Sequence, residues 1–296
     1  MDLFTRQRVP STARVTPVLR VLETSQLLLH EDPDLERVKR LAEAFRRDGA
    51  LRNPPIVTPL DLPRPATQAG EGAAPMVVLD GANRVTALRE IGVPHVAVQV
   101  VQYERPEIVV STWRHYVVEA EGPPLRERIA DRLGIGVAPL AGSAEAEDRL
   151  GRREGVAALV DGRGVALVGQ GADPNAHAGL LSGLVGLYQG TDALYRIDRE
   201  DLKALRAEHG RGTLVIFPPL GKADILQLAT TGGRLPAGVT RHLVPGRVLR
   251  LNVPLEWLQR SEPTAAKQRR LDAAVEERWR AHGIRYYAEA TYLFDE

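Results

Sequence analysis

The amino-acid sequence predicts an α+β (α/β) fold, in which an N-terminal α/β module is followed by a second α+β region. A chain of 296 residues with 44% hydrophobic residues can bury a sizeable core, and its length suits one large domain or two small ones. Short apolar runs alternate with helical patterns through the first module, and this pattern changes after residue 122. We therefore predict two domains, 1–122 and 123–296.

The first predicted domain begins with a strand and a turn over 15–32. Apolar residues at helical spacing predict a helix over 33–51, which Asp32 or Asp34 begins and Gly49 ends. Proline, glycine and small residues dominate 59–75, and we expect a surface excursion there. The remaining elements of this module are predicted as strands at 53–60, 76–80, 95–103 and 107–120, with a helix at 84–92.

The second predicted domain contains a β-hairpin over 154–171, because two apolar runs meet at Asp161-Gly162. The stretch 240–258 is expected to alternate strand and turn. The other elements are predicted as helices at 123–135, 177–190, 200–210, 222–233 and 264–284 and as strands at 212–220 and 285–294.

The composition excludes several classes of function. The chain has 39 Lys and Arg against 38 Asp and Glu, and this balance argues against a protein that coats nucleic acid. It has no cysteine, which excludes disulfides, thiolate metal sites and a cysteine nucleophile. The sequence has no P-loop, zincin or nucleophile-elbow motif, and it shows neither a membrane-spanning run nor a signal peptide. We expect a cytoplasmic protein.

The first candidate site is Asp80-Gly81-Ala82-Asn83-Arg84, where an apolar strand turns into a helix. Free backbone N–H groups and the positive end of a helix dipole meet at such a turn and favour phosphate. Gly81 lets a phosphate oxygen approach the backbone, Asn83 suits the helix N-cap, and Arg84 adds a bidentate cation. Asp80 suits a Mg²⁺ ion that bridges phosphates. A plain βα turn without a ligand explains the same residues.

Three other segments carry side chains that suit a binding or catalytic site. Glu31 emerges from an apolar run, where desolvation raises a carboxyl pKa and favours a general base. Trp113 offers a flat wall beside polar donors, and the turn at 236–238 leads to a row of groups that suit an anion. A solvated Glu, a core Trp and an ordinary strand entry are the alternatives. The segments are Glu31, Thr112-Trp113-Arg114-His115 and Thr240-Arg241-His242.

Taken in order, these segments make the chain resemble the ParB/sulfiredoxin fold family, and within it the free L-serine kinases. The resemblance rests above all on VVLDGANRVTALREIGVPHVAVQVV, with the helix after LHED and the PPIV strand. These kinases carry a Glu after the first strand, a D-G-H-H-R helix start, a T-W pair and a distal T-R-H segment. This chain has the same order, with Ala82-Asn83 in place of the two histidines. Sulfiredoxin itself is excluded because it needs a cysteine.

The resemblance implies transfer of a phosphoryl group from ATP or ADP to the hydroxyl of free L-serine, giving O-phospho-L-serine for amino-acid or siderophore synthesis. It implies that Glu31 accepts the hydroxyl proton and that Asp80 supports Mg²⁺ or the acceptor hydroxyl. By the same resemblance, residues 81–84 (Gly81, Ala82, Asn83 and Arg84) bind phosphate at the helix start.

The resemblance also assigns roles to residues of the later segments. Thr240, Arg241 and His242 are expected to bind phosphate from the second domain. Trp113 is expected to form a wall of the serine pocket, with Thr112 beside it.

Two alternatives stay open at this point. One is a ParB-like nucleotide-binding regulator that acts on DNA, favoured by the likeness of RERIADRLGI to the first helix of a helix-turn-helix. The other is a non-catalytic sensor, for which the Ala82 replacement is the support. The nucleotide preference, the oligomeric state and the pathway are not fixed by the sequence.

Overall fold

The computed structural model describes residues 16–60, 74–119, 122–170, 177–190, 192–197 and 201–287. Most of the predicted surface excursion and all but the first residues of the predicted strand at 285–294 lie outside these ranges. Residues 285–287 are described and are not in a strand. Within the described ranges the chain mixes helices with sheets, which confirms the α+β prediction.

A mixed five-stranded sheet forms the first module. Its strands run in the order β1-β6-β4-β5-β2, with β4 parallel to β6 and β2 parallel to β5. Two helices, α1 and α2, pack beside each other and bury their apolar faces in its core. The elements of this module are β1 (Val18–Glu23), β2 (Leu27–Leu29), α1 (Leu35–Asp48), β3 (Ala50–Leu51), β4 (Ile56–Pro59), β5 (Met76–Asp80), α2 (Ala82–Glu90) and β6 (His95–Val100).

An antiparallel six-stranded sheet in the order β12-β8-β13-β10-β11-β9 forms the second module. Because β9 lies between α3 and α4, these helices do not form the helix-turn-helix that the DNA-binding alternative requires. The elements are β7 (Val109–Thr112), β8 (Arg114–Val118), α3 (Leu125–Leu133), β9 (Val137–Leu140), α4 (Ser143–Gly151), β10 (Ala157–Asp161), β11 (Gly164–Val168), α5 (His177–Gly186), β12 (Ala193–Ile197), α6 (Leu202–His209), β13 (Gly212–Ile216) and α7 (Lys222–Thr231).

The chain then returns to the first module. Strand β14 (Thr240–Leu243) pairs with β7 in a separate two-stranded sheet, and β15 (Val253–Pro254) pairs with β3 of the first module in another. Helices α8 (Leu255–Gln259) and α9 (Thr264–Arg280) complete the core under the first sheet. Residues 255–259 were expected within a strand-and-turn stretch, and this expectation is wrong because the segment forms a helical turn over that core.

Local sequence signals account for several elements. The Asp34 side chain accepts a hydrogen bond from the Arg37 N–H and begins α1, while Gly49 at φ 61° ends it, as predicted. The hairpin of β10 and β11 is also confirmed, with Asp161 paired to Gly164 across the turn.

Among the helices of the described ranges, none is long and apolar enough to cross a membrane.

The predicted domain boundary at residue 122 stays a prediction. Sheet membership divides the chain at other places, because β8 lies before residue 122 yet belongs to the second sheet. In the opposite sense, Leu255 and Leu271 follow the second sheet in the chain yet pack in the first core.

Candidate active site

A cleft of about 780 Å³ lies where the first module meets the returning segment 237–243. The carboxyl end of β5, the starts of α1 and α2, and β14 all border it. It brings together Glu31, residues 80–84, Trp113 and residues 240–242, which are far apart in the sequence. Thr112 does not line the cleft; it pairs with Thr240 across the β7–β14 ladder.

Gly81 makes the turn from β5 into α2 and is the N-cap of the helix. Its φ is 104°, and an added β carbon would lie 3.0 Å from the β carbon of Pro55, so only glycine fits. The expectation that Asn83 is the N-cap is wrong. Its Oδ1 instead accepts a hydrogen bond of 2.8 Å from the Asp34 N–H at the start of α1. The two helix starts are thereby tied side by side at the cleft.

Asp80 at the end of β5 is paired with two guanidinium groups. Arg84 lies 3.2 Å from its Oδ2, and Arg247 hydrogen-bonds the same oxygen. Burial alone would raise the pKa of Asp80, but the two cations outweigh burial and hold that pKa below its usual value. Asp80 is therefore ionised at neutral pH. Arg84 also donates to the carbonyl oxygens of Asn53 at 2.8 Å and Pro54 at 3.1 Å.

The Glu31 carboxylate is held by the segment after Pro236. Its Oε1 accepts a hydrogen bond of 2.6 Å from the Thr240 N–H and also contacts the Thr240 hydroxyl, while Gly238 N–H lies 3.5 Å from Oε2. Burial raises the pKa of Glu31 to about 7, although these hydrogen bonds and Arg196 oppose the rise. A carboxyl group with this pKa exchanges a proton near neutral pH, as a general base requires.

His30 extends the hydrogen-bond chain from Glu31. Its Nδ1 lies 2.8 Å from the Val78 carbonyl and its Nε2 lies 3.0 Å from the Thr240 hydroxyl. A carbonyl only accepts, so Nδ1 carries the ring proton, and burial lowers the pKa of His30 to about 4. Neutral His30 therefore presents an unprotonated Nε2 to the Thr240 hydroxyl. That hydroxyl donates its proton to Glu31 Oε1 and stabilises the ionised carboxylate, which opposes the rise of the Glu31 pKa caused by burial.

His242 is buried and its ring is engaged within the fold. Its Nε2 lies 2.8 Å from the Tyr103 hydroxyl, and its ring meets the edge of His30 at 5.4 Å between centroids. Burial, with a smaller effect of His30, lowers the pKa of His242 to about 3. His242 borders the cleft as a neutral group, so it would meet phosphate as a neutral imidazole and not as a cation.

Arg241 and Trp113 form a stacked pair at the cleft. The Arg241 guanidinium lies 4.3 Å from the centroid of the Trp113 ring, a cation–π geometry. The backbone N–H of Trp113 donates to the Val239 carbonyl at 2.9 Å, which ties the chain at Trp113 to the returning segment.

Several cleft residues were not identified from the sequence, notably His30, Arg37, Arg196 and Arg247. Arg247 is separated from Asp80 by 167 positions, so no local pattern connects them. Arg196 lies between Tyr195 and Ile197 on β12, and nothing in this sequence distinguishes it from an ordinary arginine of a strand. His30 precedes Glu31 directly, and its place in the same apolar run is a signal that could have found it.

No family model matches the chain, but curated proteins and solved structures are similar to it. An ATP-dependent L-serine kinase from Desulfurococcus mucosus is 26% identical over 83% of this chain and 92% of its own length. The ATP-dependent L-serine kinase SbnI from Staphylococcus aureus is 24% identical over 94% of this chain and 97% of its own length.

A solved structure of a free serine kinase in complex with AMP superposes with a TM-score of 0.66. It covers 82% of this chain and 94% of its own, at 20% identity. The chain has the fold of the free serine kinases. Similarity to these kinases extends over most of the chain.

Proposed function

We propose that the protein is a free L-serine kinase, which transfers a phosphoryl group from ATP or ADP to the serine hydroxyl and forms O-phospho-L-serine. The observation that carries this proposal is the single cleft in which a carboxyl group with a pKa near 7 shares space with a cation-lined helix start. The similarity to curated L-serine kinases along most of the chain supports it.

Glu31 is the proposed general base. Phosphoryl transfer asks the protein mainly for positioning and charge stabilisation, and the acceptor hydroxyl must lose its proton as the new P–O bond forms. Glu31 as a carboxylate accepts that proton, and its pKa of about 7 matches the task. Thr240 holds Glu31 in place through its backbone N–H, which donates to Oε1 at 2.6 Å.

The phosphate groups are proposed to bind at the start of α2. Gly81, Ala82 and Asn83 contribute backbone N–H groups there, so the missing imidazole at Ala82 does not remove that contribution. Arg84 and Arg247 add positive charge beside the same turn. Arg241 extends this charge from β14, while Thr240 and neutral His242 offer polar groups beside it.

The donor set at Asp80 fits the Mg²⁺ ion that a nucleotide-dependent kinase needs. Both guanidinium groups contact Oδ2 of Asp80, and no described residue hydrogen-bonds Oδ1. Magnesium is commonly held by one or two carboxylates together with substrate phosphates and water. Asp80 would hold the ion, which supplies charge neutralisation between the phosphates.

Trp113 is proposed as the wall of the serine pocket, and Thr112 supports it through the β7–β14 pairing. We also propose that the first module is of the ParB/sulfiredoxin type and that the chain divides into a nucleotide-binding domain over 1–122 and a completing domain over 123–296. ATP and free serine are metabolites of the cytoplasm, where we propose the reaction takes place.

The test is a phosphoryl-transfer assay in which purified protein is incubated with Mg²⁺, ATP or ADP and each free amino acid. Mass spectrometry should detect O-phosphoserine, and Glu31→Gln should reduce its rate at least about 100-fold, the usual contribution of a general base. The Glu36→Gln protein is the matched control, because Glu36 lies on the surface of α1 and pairs with Lys39. Full activity of Glu31→Gln would exclude the assigned base, and no product with any acceptor would exclude the kinase.

A further inference from the structure

Arg196 is a cation at the cleft that makes no direct ion pair with a described residue, although the charges of Glu31 and Asp34 act on it at longer range. It projects from β12 and lines the cleft, yet it forms no ion pair and no hydrogen bond with the described part of the chain. Its Nε is buried without a partner. A buried donor that lacks a partner is destabilising, so such a group in a cleft indicates a missing ligand.

The position of Arg196 is fixed by Gly238. A β carbon added to Gly238 would lie 2.2 Å from Nε and 2.3 Å from Cζ of Arg196, so the guanidinium packs directly against the glycine. Gly238 also contacts Glu31, because its backbone N–H lies 3.5 Å from Glu31 Oε2. The proposed base and the Arg196 guanidinium therefore flank a single residue.

A second arginine strengthens the local positive charge. Arg37 of α1 lines the same part of the cleft, and its charge, after burial, lowers the pKa of Arg196. Its guanidinium makes no ion pair within the described ranges either. Two neighbouring cations are stabilised when an anion binds between them.

The two ends of the cleft differ in their residues. Arg37, Trp113 and Arg196 also line an adjoining hollow of about 580 Å³, which residues 80–84 do not reach. The proposed phosphate site is thus at one end, and this pair of arginines is at the other, with Glu31 between them. An acceptor whose hydroxyl faces Glu31 would extend its remaining groups towards Arg196.

We propose that Arg196, assisted by Arg37, binds the α-carboxylate of the free amino-acid acceptor. This inference rests on the proposed kinase function and adds the basis of its substrate class. Free L-serine carries a carboxylate two carbon atoms from its hydroxyl oxygen, which suits groups placed on both sides of Gly238. A planar guanidinium binds a carboxylate with two parallel hydrogen bonds. Serine within a peptide lacks this carboxylate, so the site selects the free amino acid.

The experiment compares the wild type with Arg196→Gln and Arg196→Lys in steady-state kinetics, using L-serine and L-serinamide as acceptors. Arg163→Gln is the matched control, since Arg163 lies on the surface hairpin and pairs with Glu127. We expect Arg196→Gln to raise the KM for L-serine about 10- to 100-fold and to leave the KM for ATP unchanged. Selectivity for L-serine over L-serinamide should fall by a similar factor, and Arg196→Lys should recover part of it.

Calorimetric titration of each protein with O-phospho-L-serine gives a readout that does not need turnover. Loss of this binding in Arg196→Gln but not in Arg163→Gln would support the carboxylate site even if the wild type transferred no phosphate, in which case the kinase proposal alone fails. An unchanged KM for L-serine in an active Arg196→Gln protein would overturn the inference. A rise in the KM for ATP instead would also overturn it, because the anion would then be a phosphate of the nucleotide.

Discussion

Replacing Thr240 with Val tests how the cleft sets the proton affinity of Glu31. The Thr240 hydroxyl contacts Glu31 and lowers its pKa, so Thr240→Val removes a stabiliser of the ionised carboxylate. A hydrogen bond to a charged group contributes about 1.5–3 kcal/mol. At about 1.4 kcal/mol per pH unit, the loss moves the pKa of Glu31 upward by about one to two units.

This shift has a defined effect on the rate. A base must be ionised to act, so kcat/KM for serine rises with pH through the pKa of Glu31, which is about 7 in the native protein. In Thr240→Val the rise should be centred between about pH 8 and pH 9. The ionised fraction at pH 7 falls from one half to about 1–10%, so kcat/KM at pH 7 should fall about 5- to 50-fold and recover in alkaline buffer.

The assay is the pH profile of kcat/KM for L-serine at saturating nucleotide, measured in parallel for Thr240→Ser. Serine retains the hydroxyl, and the backbone N–H of residue 240 still donates to Glu31 in both variants. We expect the Thr240→Ser profile to stay near that of the native protein. If Thr240→Val loses activity equally at every pH while the midpoint stays near 7, the hydroxyl does not set the proton affinity of Glu31, and the reasoning is refuted.

Two further results are expected. The buried histidines His30, His115 and His242 have pKa values lowered to about 4, 4 and 3 by burial, so their stabilising effect is complete above pH 6.5 and is lost as the pH falls towards those values. Between pH 7 and pH 5, each of these histidines should lower the free energy of unfolding by about 2 kcal/mol, and the raised pKa of Glu31 should increase it by about 2 kcal/mol. Denaturant titration should therefore show a net loss of about 3–4 kcal/mol in the free energy of unfolding. Equal stability at both pH values would contradict this. Gly238→Ala should displace the Arg196 guanidinium that packs against this glycine and raise the KM for L-serine about tenfold or more. Because Gly238 has a φ of 79°, the same change should lower the free energy of unfolding by about 1–2 kcal/mol. Steady-state kinetics and denaturant titration measure these effects, and an unchanged KM would count against the carboxylate site.

Features of the fold that depend on local chemistry were predictable from the sequence. Asp34 and Gly49 mark the ends of α1 because capping and left-handed backbone are properties of single residues. The Asp161-Gly162 turn predicts its hairpin for the same reason. The candidate residues that border the cleft were also identifiable, because their segments follow one another in the order on which the resemblance to the free L-serine kinases rests.

The side-chain pairings in the cleft were not predictable. Asn83 looks like a helix cap in sequence, but the left-handed backbone of Gly81 begins α2 earlier, and the Asn83 side chain is used by Asp34. Arg247 and Arg196 reach the cleft from segments far from the residues they meet, so no periodicity or spacing connects them. Pairings of this kind depend on how the modules pack, which a single sequence does not encode in any short pattern.

The return of the C-terminal helices to the first sheet has a consequence for protein synthesis. Leu258 and Leu271 fill the core beneath β1, and Gln268 hydrogen-bonds the Val21 backbone N–H at 2.7 Å across 247 positions. A nascent chain therefore cannot complete its first module until α9 has left the ribosome. Until then, the apolar surface that α8 and α9 cover in the finished module stays exposed to chaperones and proteases. Synthesis of α9 therefore determines when the first sheet becomes stable.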